Sequence, residues 1–181
     1  DLTELLKIFN LEDKKLEKYI FKSEIQIAKL YNEKKKIFIN YDVKNKKKII
    51  VPSITNYFIL FADLKNVSIN KKIIKNLKNY NQDKKYLFSS IKPNYKKFEE
   101  KRYWRGPVWI NCNWIIYQGL KNKDKKFANK IKEKTINLIK ENGFYEYYSH
   151  KTGKPFGANN FSWTASLFLD LIMENRIANE Y

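Results

Sequence analysis

The chain has 181 residues, of which 43% are hydrophobic and 16% aromatic, and it carries a formal net charge of +18. This composition excludes a disordered chain, and the length suits one domain with a sizeable core but is short for two. No apolar run approaches the roughly 20 residues that a membrane-spanning helix needs. We therefore expect one domain, or one piece of a domain, with no membrane partner.

The positive charge comes almost entirely from lysines that are spread along the chain. Proteins that read nucleic-acid sequence favour clustered arginines instead. Lys, Asn, Ile, Tyr and Phe are all abundant, and they share A- and U-rich codons, as an AT-rich genome would produce. We interpret the charge as a solvated lysine coat and expect no specific nucleic-acid partner; nucleic-acid binding through this coat is the minor alternative.

The chain contains one cysteine, Cys112, and one histidine, His150. A single cysteine forms no internal disulfide and fits a reducing compartment, so we expect a cytoplasmic protein. One histidine without Cys/His spacing builds no zinc site, and we expect neither metal nor cofactor. Cys112 is expected to be inert packing and His150 a loop residue without a catalytic role. Because the chain begins at Asp1, we expect the true N-terminus to lie upstream.

The first third of the chain predicts two helices with an extended segment between them. Over residues 11–32, apolar side chains recur near a 3.6-residue period with lysines opposite, which predicts a long amphipathic helix. Residues 36–42 alternate in polarity and residues 48–51 follow a polar break, which predicts a small hairpin or an extended loop. Pro52 and Ser53 then open a helix that is apolar around most of its circumference, so we expect it to be buried.

The middle of the chain predicts one short helix and a long irregular stretch. Ser68 is a plausible N-cap for a helix over residues 69–79, in which three apolar residues mark one face. Residues 80–101 show no sustained period and contain Pro93. We expect this stretch to be irregular.

The last third of the chain predicts three helices. A helix over residues 107–120 is apolar nearly all round and therefore internal, with Pro107 at its first position because proline has no N–H to leave unpaired there. Residues 124–141 form its amphipathic partner, which ends at an Asn-Gly pair. Ser162 caps a last apolar helix over residues 163–175.

Amphipathic and apolar helices therefore alternate, and no linker interrupts residues 1–181. Such an order is typical of helical hairpins arranged in an outer and an inner layer. We predict an all-α fold with minor β-hairpins or extended segments.

The segment 103–114 contains three of the four tryptophans, beside a Gly-Pro junction. If a helix begins at this junction, Tyr103, Trp104, Arg105 and Trp109 can all face a cavity at its N-terminus. Aromatic rings offer flat apolar faces to the C–H side of a pyranose, and Arg105 can donate paired hydrogen bonds to hydroxyls or a carboxylate. The alternative is that the tryptophans belong to the core and that Arg105 pairs with an internal acid.

The residues of this segment divide between the two interpretations. For Trp104 and Trp109 we favour sugar binding. Trp114 lies further along a buried helix, and we expect it in the core. Asn111 and Asn113 lie on the same helix and must be hydrogen-bonded if they are buried, so we expect both to brace the structure.

Glu146 lies in an extended segment between Tyr145 and Tyr147, with further aromatic residues on either side. Partial burial and hydrogen bonds from tyrosine hydroxyls tune the acidity of a carboxylate and hold it in one orientation. Both features suit a general base that activates water. An exposed glutamate on an edge strand, whose neighbours alone pack inward, explains the same residues equally well.

Together these two segments resemble glycoside hydrolase family 63, especially its bacterial members that hydrolyse glucosylglycerate or mannosylglycerate. A closing stretch further along the chain fits as well, and weaker similarity covers the rest. The matching runs are Tyr103-Trp104-Arg105-Gly106-Pro107-Val108-Trp109-Ile110-Asn111, Gly143-Phe144-Tyr145-Glu146-Tyr147, and Thr152-Gly153, Gly157 and Phe161-Ser162-Trp163-Thr164-Ala165.

The resemblance implies an (α/α)6 toroid and the inverting hydrolysis of an α-glycosidic bond. Within the matching motif, Glu146 takes the position of the general base. The small-carbohydrate substrate is then expected to contact residues of the same motifs. These candidate substrate-binding residues are Tyr103, Trp104, Arg105, Trp109, Tyr147 and Trp163.

One departure from the family pattern concerns the general acid, which the resemblance implies to be an aspartate in a Trp-Asp motif. The chain has no Trp-Asp pair, and its helix at 11–32 corresponds to sequence that follows this motif. We therefore expect residues 1–181 to be the C-terminal portion of a larger catalytic domain, to need the missing N-terminal part, and to be inactive alone. The alternative is a non-catalytic carbohydrate-binding or scaffold module that kept the aromatic residues and lost the acid.

Overall fold

The computed structural model describes residues 9, 13–62, 64, 66–80 and 86–177, without the side chains of 175–177. Most of its regular structure is helical, as predicted. The α-helices are α1 (Lys14–Ala28), α2 (Val67–Lys78), α3 (Ile110–Leu120), α4 (Lys125–Asn142) and α5 (Ser162–Ile177), and 3₁₀ helices lie at Ile54–Leu60 and Tyr103–Arg105.

The strands form three separate antiparallel hairpins of two strands each. The extended segment that was predicted as one hairpin contains two, and a third follows α4. The pairs are β1 (Tyr31–Asn32) with β2 (Ile37–Phe38), β3 (Asn40–Asp42) with β4 (Lys47–Ile49), and β5 (Tyr145–Tyr148) with β6 (Pro155–Asn159).

Helix α1 is shorter than the 11–32 that the sequence predicts. Asp13 caps it, since its side chain accepts hydrogen bonds from the amides of Lys15 and Leu16. The helix ends at Ala28 because the following residues pair with β2, which is buried. Apolar residues at the end of the predicted period are thus used by a strand, and residues 11 and 12 lie outside the described part of the chain.

The N-cap predicted for the third helix is also wrong. Asn66, and not Ser68, accepts a hydrogen bond from the amide of Ile69 at 3.0 Å, and α2 therefore begins at Val67. Ile73 and Leu77 on the predicted apolar face are fully buried.

The inner layer consists of α3 and the 3₁₀ helix Ile54–Leu60, as the apolar character of both segments predicts. Ser53 and Asn56 form a capping box at the start of the 3₁₀ helix. Gly119 of α3 lies directly on its end: a Cβ there would be 2.6 Å from the carbonyl carbon of Leu60 and from the amide nitrogen of Phe61. The glycine therefore permits close contact between the two helices.

The start of α3 differs from the prediction. The helix begins at Ile110 and not at Pro107, because Val108 is held in an extended bridge to Tyr148. The amide of Val108 donates to the backbone carbonyl oxygen of Tyr148 at 2.8 Å, and the amide of Tyr148 donates to the backbone carbonyl oxygen of Val108 at 3.0 Å. A helix starting at Pro107 would break these bonds. Trp109 consequently takes the N-cap position with extended φ and ψ of −112° and 130°.

Helix α4 packs beside α3, and α5 packs on both. Near the C-terminal ends of α3 and α5, the hydroxyl of Tyr117 donates to Glu174, and the buried Lys132 approaches the same carboxylate at 3.4 Å. Burial acts to raise the pKa of Glu174, but hydrogen bonds from Tyr117 and Lys121 outweigh it and leave the pKa lowered. The Glu174 carboxylate thus joins α3, α4 and α5, and its hydrogen bonds offset part of the desolvation cost of burying it.

Among the described helices, none combines the length and the apolar character that crossing a membrane requires.

Gly119→Ala should destabilise the protein expressed from its complete gene by about 1–3 kcal/mol. The added methyl group meets backbone atoms that cannot rotate away, and this outweighs the better helix propensity of alanine. The midpoint of urea unfolding measures the loss, with Asn129→Ala on the exposed face of α4 as control. An unchanged midpoint would contradict the close packing of α3 on the 3₁₀ helix.

Asp124→Asn should lower stability at neutral pH but not at low pH. Asp124 caps α4 and lies 2.6 Å from the Lys78 ammonium, which holds its pKa below the usual value. A lowered carboxyl pKa stabilises the folded state above the unfolded pKa of about 3.9, and this stabilisation is lost as pH falls through the folded value. Asparagine keeps the cap without the charge. The difference in Tm between the two proteins should therefore shrink as the pH falls below the unfolded value of about 3.9; a constant difference would exclude a contribution from the charge.

Candidate active site

Four aromatic side chains meet at the N-terminus of α3. We call Tyr103, Trp104, Trp109 and Tyr147 the aromatic wall. Trp104 stacks on Trp109 with ring centroids 4.3 Å apart and planes 8° apart. Tyr103 meets Trp109 edge-on at 4.8 Å, and Tyr147 lies 5.0 Å from the same ring. Three residues from the first motif and one from the second thus form a single cluster around Trp109.

Burial divides the aromatic wall into a hidden part and a presented part. Trp109 is only 2% exposed, and its indole N–H donates to the backbone carbonyl oxygen of Tyr103 at 3.0 Å. Trp104 is 43% exposed and Tyr103 49%. Trp109 therefore braces the two residues that offer ring surface to a ligand.

Glu146 lies on β5, where the pairing with β6 is irregular. Its Oε2 accepts a hydrogen bond from the amide of Ala158 at 3.2 Å. The side chain is partly buried and lines a cleft. Among the described residues that line this cleft, Glu146 is the only acid. The cleft is lined by Trp109, Ile110, Asn111, Glu146, Phe161, Trp163, Thr164 and Leu167.

Tyr103 interacts with the Glu146 carboxylate as well as with the other rings of the aromatic wall. Partial desolvation is the largest cause that raises the pKa of the Tyr103 phenol, and the hydrogen bond with Glu146 and the negative charge of Glu146 add to it. The phenol therefore stays protonated at neutral pH and can donate to the carboxylate. Tyr103 also has a φ of 30°, which is uncommon for a residue other than glycine and is the kind of backbone conformation found at functional sites.

Trp163, in the first turn of α5, is 49% exposed and faces the cleft that contains Glu146. Trp114, by contrast, lies away from the cleft: its indole donates to Asp170 at 2.6 Å and its ring lies 6.0 Å from that of Phe61. It joins α3 to α5, in keeping with the structural role that its position predicts.

Arg105 is engaged by a carboxylate of its own loop. Its guanidinium lies 3.0 Å from Glu99, which also pairs with Arg102 at 3.2 Å. The hydrogen bond from Arg105 is the main cause of the lowered pKa of Glu99. The core alternative assumed that Arg105 pairs with an internal acid. The acid that pairs with it is instead exposed.

The expectation that both asparagines are hydrogen-bonded braces is wrong within the described residues. Asn113 is fully buried, and neither atom of its carboxamide has a partner among them. Asn111 lines the cleft, and its Oδ1 is equally unpartnered within the described part of the chain. Apolar neighbours in sequence predicted burial correctly for Asn113 but not for Asn111, which is half-buried, and they carry no information on which polar groups lie opposite.

Cys112 and His150 lie where the sequence predicts. Burial raises the pKa of the Cys112 thiol to about 12, so the residue is unreactive packing. His150 lies in a turn and is buried against Phe98, with ring centroids 4.9 Å apart. Neither residue lines the cleft.

Gly157 and Ala158 of β6 are the contacts of Glu146 that sequence reasoning did not assign. Gly157 was part of the matching stretch, but a backbone N–H that binds a side chain leaves no mark on residue type. The only available signal was a glycine within a short strand, which often marks a bulge or a close approach.

The domain described as the mannosylglycerate hydrolase MGH1-like glycoside hydrolase domain matches residues 2–164. A mannosylglycerate hydrolase of Thermus thermophilus is 29% identical over 170 residues, which cover 93% of this chain and 41% of the relative. Mannosylglycerate hydrolase of Rubrobacter radiotolerans is 44% identical over 78 residues, covering 42% of this chain and 18% of the relative.

Among solved structures, the family 63 mannosylglycerate hydrolase from a second strain of Thermus thermophilus, in complex with Tris and D-glycerate, superimposes with a TM-score of 0.85 at 28% identity. The match covers 93% of this chain and 41% of that one, so the chain spans about two fifths of its relatives' length. The helical hairpins are those of part of the family 63 toroid. The chain belongs to the mannosylglycerate hydrolase MGH1-like family of glycoside hydrolases.

Proposed function

We propose that the protein containing this chain hydrolyses an α-glycosidic bond of a small glycoside with inversion, and that Glu146 is the general base. The observation that carries the proposal is the position of the Glu146 carboxylate, partly buried in one cleft with Trp109 and Trp163. A carboxylate beside aromatic rings combines a proton acceptor with a surface for a sugar.

In the proposed reaction, Glu146 takes a proton from a water molecule while the water oxygen attacks the anomeric carbon. The bond from this carbon to the leaving oxygen breaks, and the leaving oxygen receives a proton from a general acid on the other side of the sugar. Inverting enzymes keep the two carboxyl groups about 6.5–9.5 Å apart to make room for the water. The amide of Ala158 binds Oε2 of Glu146, and the Tyr103 phenol also donates to this carboxylate. A carboxylate offers about four acceptor positions, so both bonds leave room for the water.

The general acid is proposed to be an aspartate that another part of the same domain supplies. Two observations support this division. The cleft encloses about 0 Å³ of space that a water molecule could occupy, against the roughly 300–1,000 Å³ typical of small-molecule sites, and Glu146 is the one acid among its described lining residues. In addition, Leu169 and Met173 expose large apolar surface on one side of α5, as expected of a face that packs on further structure.

The sugar is proposed to stack on the exposed rings of Trp104 and Tyr103, with Trp163 facing it across the cleft. Tyr147 supports Trp109 from behind and contacts the substrate less directly. Arg105 is held by Glu99 and borders the wall. Exposed aromatic faces on a braced cluster suit the flat C–H face of a pyranose.

The substrate is proposed to be an α-glucoside or α-mannoside, with glucosylglycerate and mannosylglycerate as the candidates that the names of the relatives suggest. The cations beside the wall, Lys101, Arg102 and Arg105, are accompanied in the chain by Glu99 and Glu100, and Glu99 pairs with both arginines. The proposed aglycone therefore rests on the names of the relatives and not on the charge of the wall.

Glu146→Gln in the protein expressed from its complete gene should lower kcat for an α-glucoside or α-mannoside of glycerate by about 10²–10⁴-fold, because the amide cannot accept the proton of water. Binding of the substrate should persist, as measured by isothermal titration calorimetry. Glu133→Gln, at an exposed position of α4, is the matched control and should keep full activity.

Near-normal turnover of Glu146→Gln would overturn the assignment of the base. A wild-type protein that binds the sugar but never hydrolyses it would instead favour the non-catalytic carbohydrate-binding module.

Trp104→Ala and Trp109→Ala should have different effects. Trp104 is exposed, so its loss should raise KM by about threefold to tenfold with little change in Tm. Trp109 is buried and holds three rings, so its loss should cost about 3–5 kcal/mol of stability. Equal losses of stability in the two variants would contradict the division of the wall into presented and bracing residues.

A further inference from the structure

We propose that Gly157 and Ala158 of β6 are positioning residues that hold the Glu146 carboxylate in the orientation its reaction needs. The proposal rests on the function proposed above. It assigns the orientation of the base to the backbone of the neighbouring strand and not to the aromatic wall alone.

The pairing of β5 with β6 places the two residues opposite Glu146. Tyr145 pairs with Asn159 and Tyr147 with Phe156, so that one residue of β5, Glu146, faces two residues of β6. This two-against-one arrangement is a β-bulge, which interrupts the regular ladder of hydrogen bonds. The amide of a bulged residue is thereby free to bind a group other than the backbone of the partner strand, such as a side chain.

That amide belongs to Ala158, and it donates to Oε2 of Glu146 at 3.2 Å. A hydrogen bond from a backbone N–H to a carboxylate is charge-assisted and stronger than one between neutral groups. Because both partners lie on adjacent strands, the bond resists rotation of the carboxylate about its last torsion.

Gly157 makes this close approach possible. Its φ is +73°, and a Cβ at this position would lie 2.5 Å from Glu146 Oε2 and 2.8 Å from Glu146 Cβ. Side chains are excluded here twice, by the backbone conformation and by the carboxylate itself. The glycine is therefore required for the geometry of the base, and not only for the turn of the chain.

Gly143 offers a matched control. Its φ of +85° is equally unfavourable for a side chain, but a Cβ there would have its nearest neighbour, a ring carbon of Tyr145, at 3.6 Å. Alanine at either position strains the backbone, whereas only alanine at 157 displaces the carboxylate. A Cβ at 157 would also lie 2.8 Å from Cε1 of Tyr147, so a loss of kcat at unchanged KM is the result that reports on Glu146 and not on the aromatic wall.

The test compares Gly157→Ala with Gly143→Ala in the protein expressed from its complete gene, with kcat, KM and Tm measured for each. We expect Gly157→Ala to lower Tm more than Gly143→Ala, because its Cβ must also displace the side chains of Glu146 and Tyr147. Gly157→Ala should also lower kcat by about 100-fold with KM within about twofold of wild type, because misplacing a catalytic group by about 1 Å impairs the reaction more than the binding. Gly143→Ala should keep the wild-type kcat.

A second pair guards against loss of folding in Gly157→Ala. Ala158→Pro removes the N–H donor, and Ala158→Gly retains it; we expect the proline variant alone to lose kcat. The positioning role would be overturned if the wild type is active, Glu146→Gln inactivates it, and both members of every pair that folds have equal kcat. The proposed function would then remain intact. A wild type without hydrolysis, or an active Glu146→Gln, would overturn both.

Discussion

The bridge between Val108 and Tyr148 is the interaction on which the rest of the site depends. Two backbone hydrogen bonds, of 2.8 and 3.0 Å, join segments that are forty residues apart in the chain. The bridge keeps Val108 extended, so α3 begins at Ile110. Trp109 therefore takes the N-cap position and does not lie within the first turn of the helix. It also brings Tyr147 onto the Trp109 ring. This pairing therefore holds Glu146 and Tyr147 beside the residues of the wall that come from the first motif.

Around this bridge, rigidity and access are divided among neighbouring side chains. Trp109 is buried and is contacted by the other three rings of the wall, whereas Trp104 and Tyr103 keep about half of their surface exposed. Glu146 is held from its own sheet by Ala158. A binding surface whose exposed groups rest on buried ones loses little entropy when a ligand arrives, since its side chains are already ordered. The two inner helices and the bonds around Glu174 supply the same rigidity at the level of the fold.

Helix content and layering could be predicted well from the sequence, because apolar residues repeat with the period of a helix and the two inner segments are apolar on nearly all sides. The family was also predictable, from long runs of rare residues around Trp104 and Glu146. Helix boundaries were less so. Ser68 and Pro107 both suit the start of a helix by local preference. However, Asn66 accepts the hydrogen bond from the amide of Ile69 and so caps α2, and the bridge from Val108 to Tyr148 prevents a helix from starting at Pro107. Local preferences are worth about 1 kcal/mol, which two backbone hydrogen bonds in a buried bridge can outweigh.

The sequence by itself determined that the chain is a helical, aromatic-rich part of a glycoside hydrolase domain with Glu146 as its candidate base, because period, composition and motif are all local properties. Only the tertiary structure decided which residues meet. It separated the bracing Trp109 from the presented Trp104, directed Arg105 to Glu99, and left the carboxamide of Asn113 without a hydrogen-bond partner among the described residues. It also placed the backbone of Gly157 and Ala158 against Glu146. These contacts depend on strand register and on backbone groups that every residue carries, so no pattern of side chains along the chain could specify them.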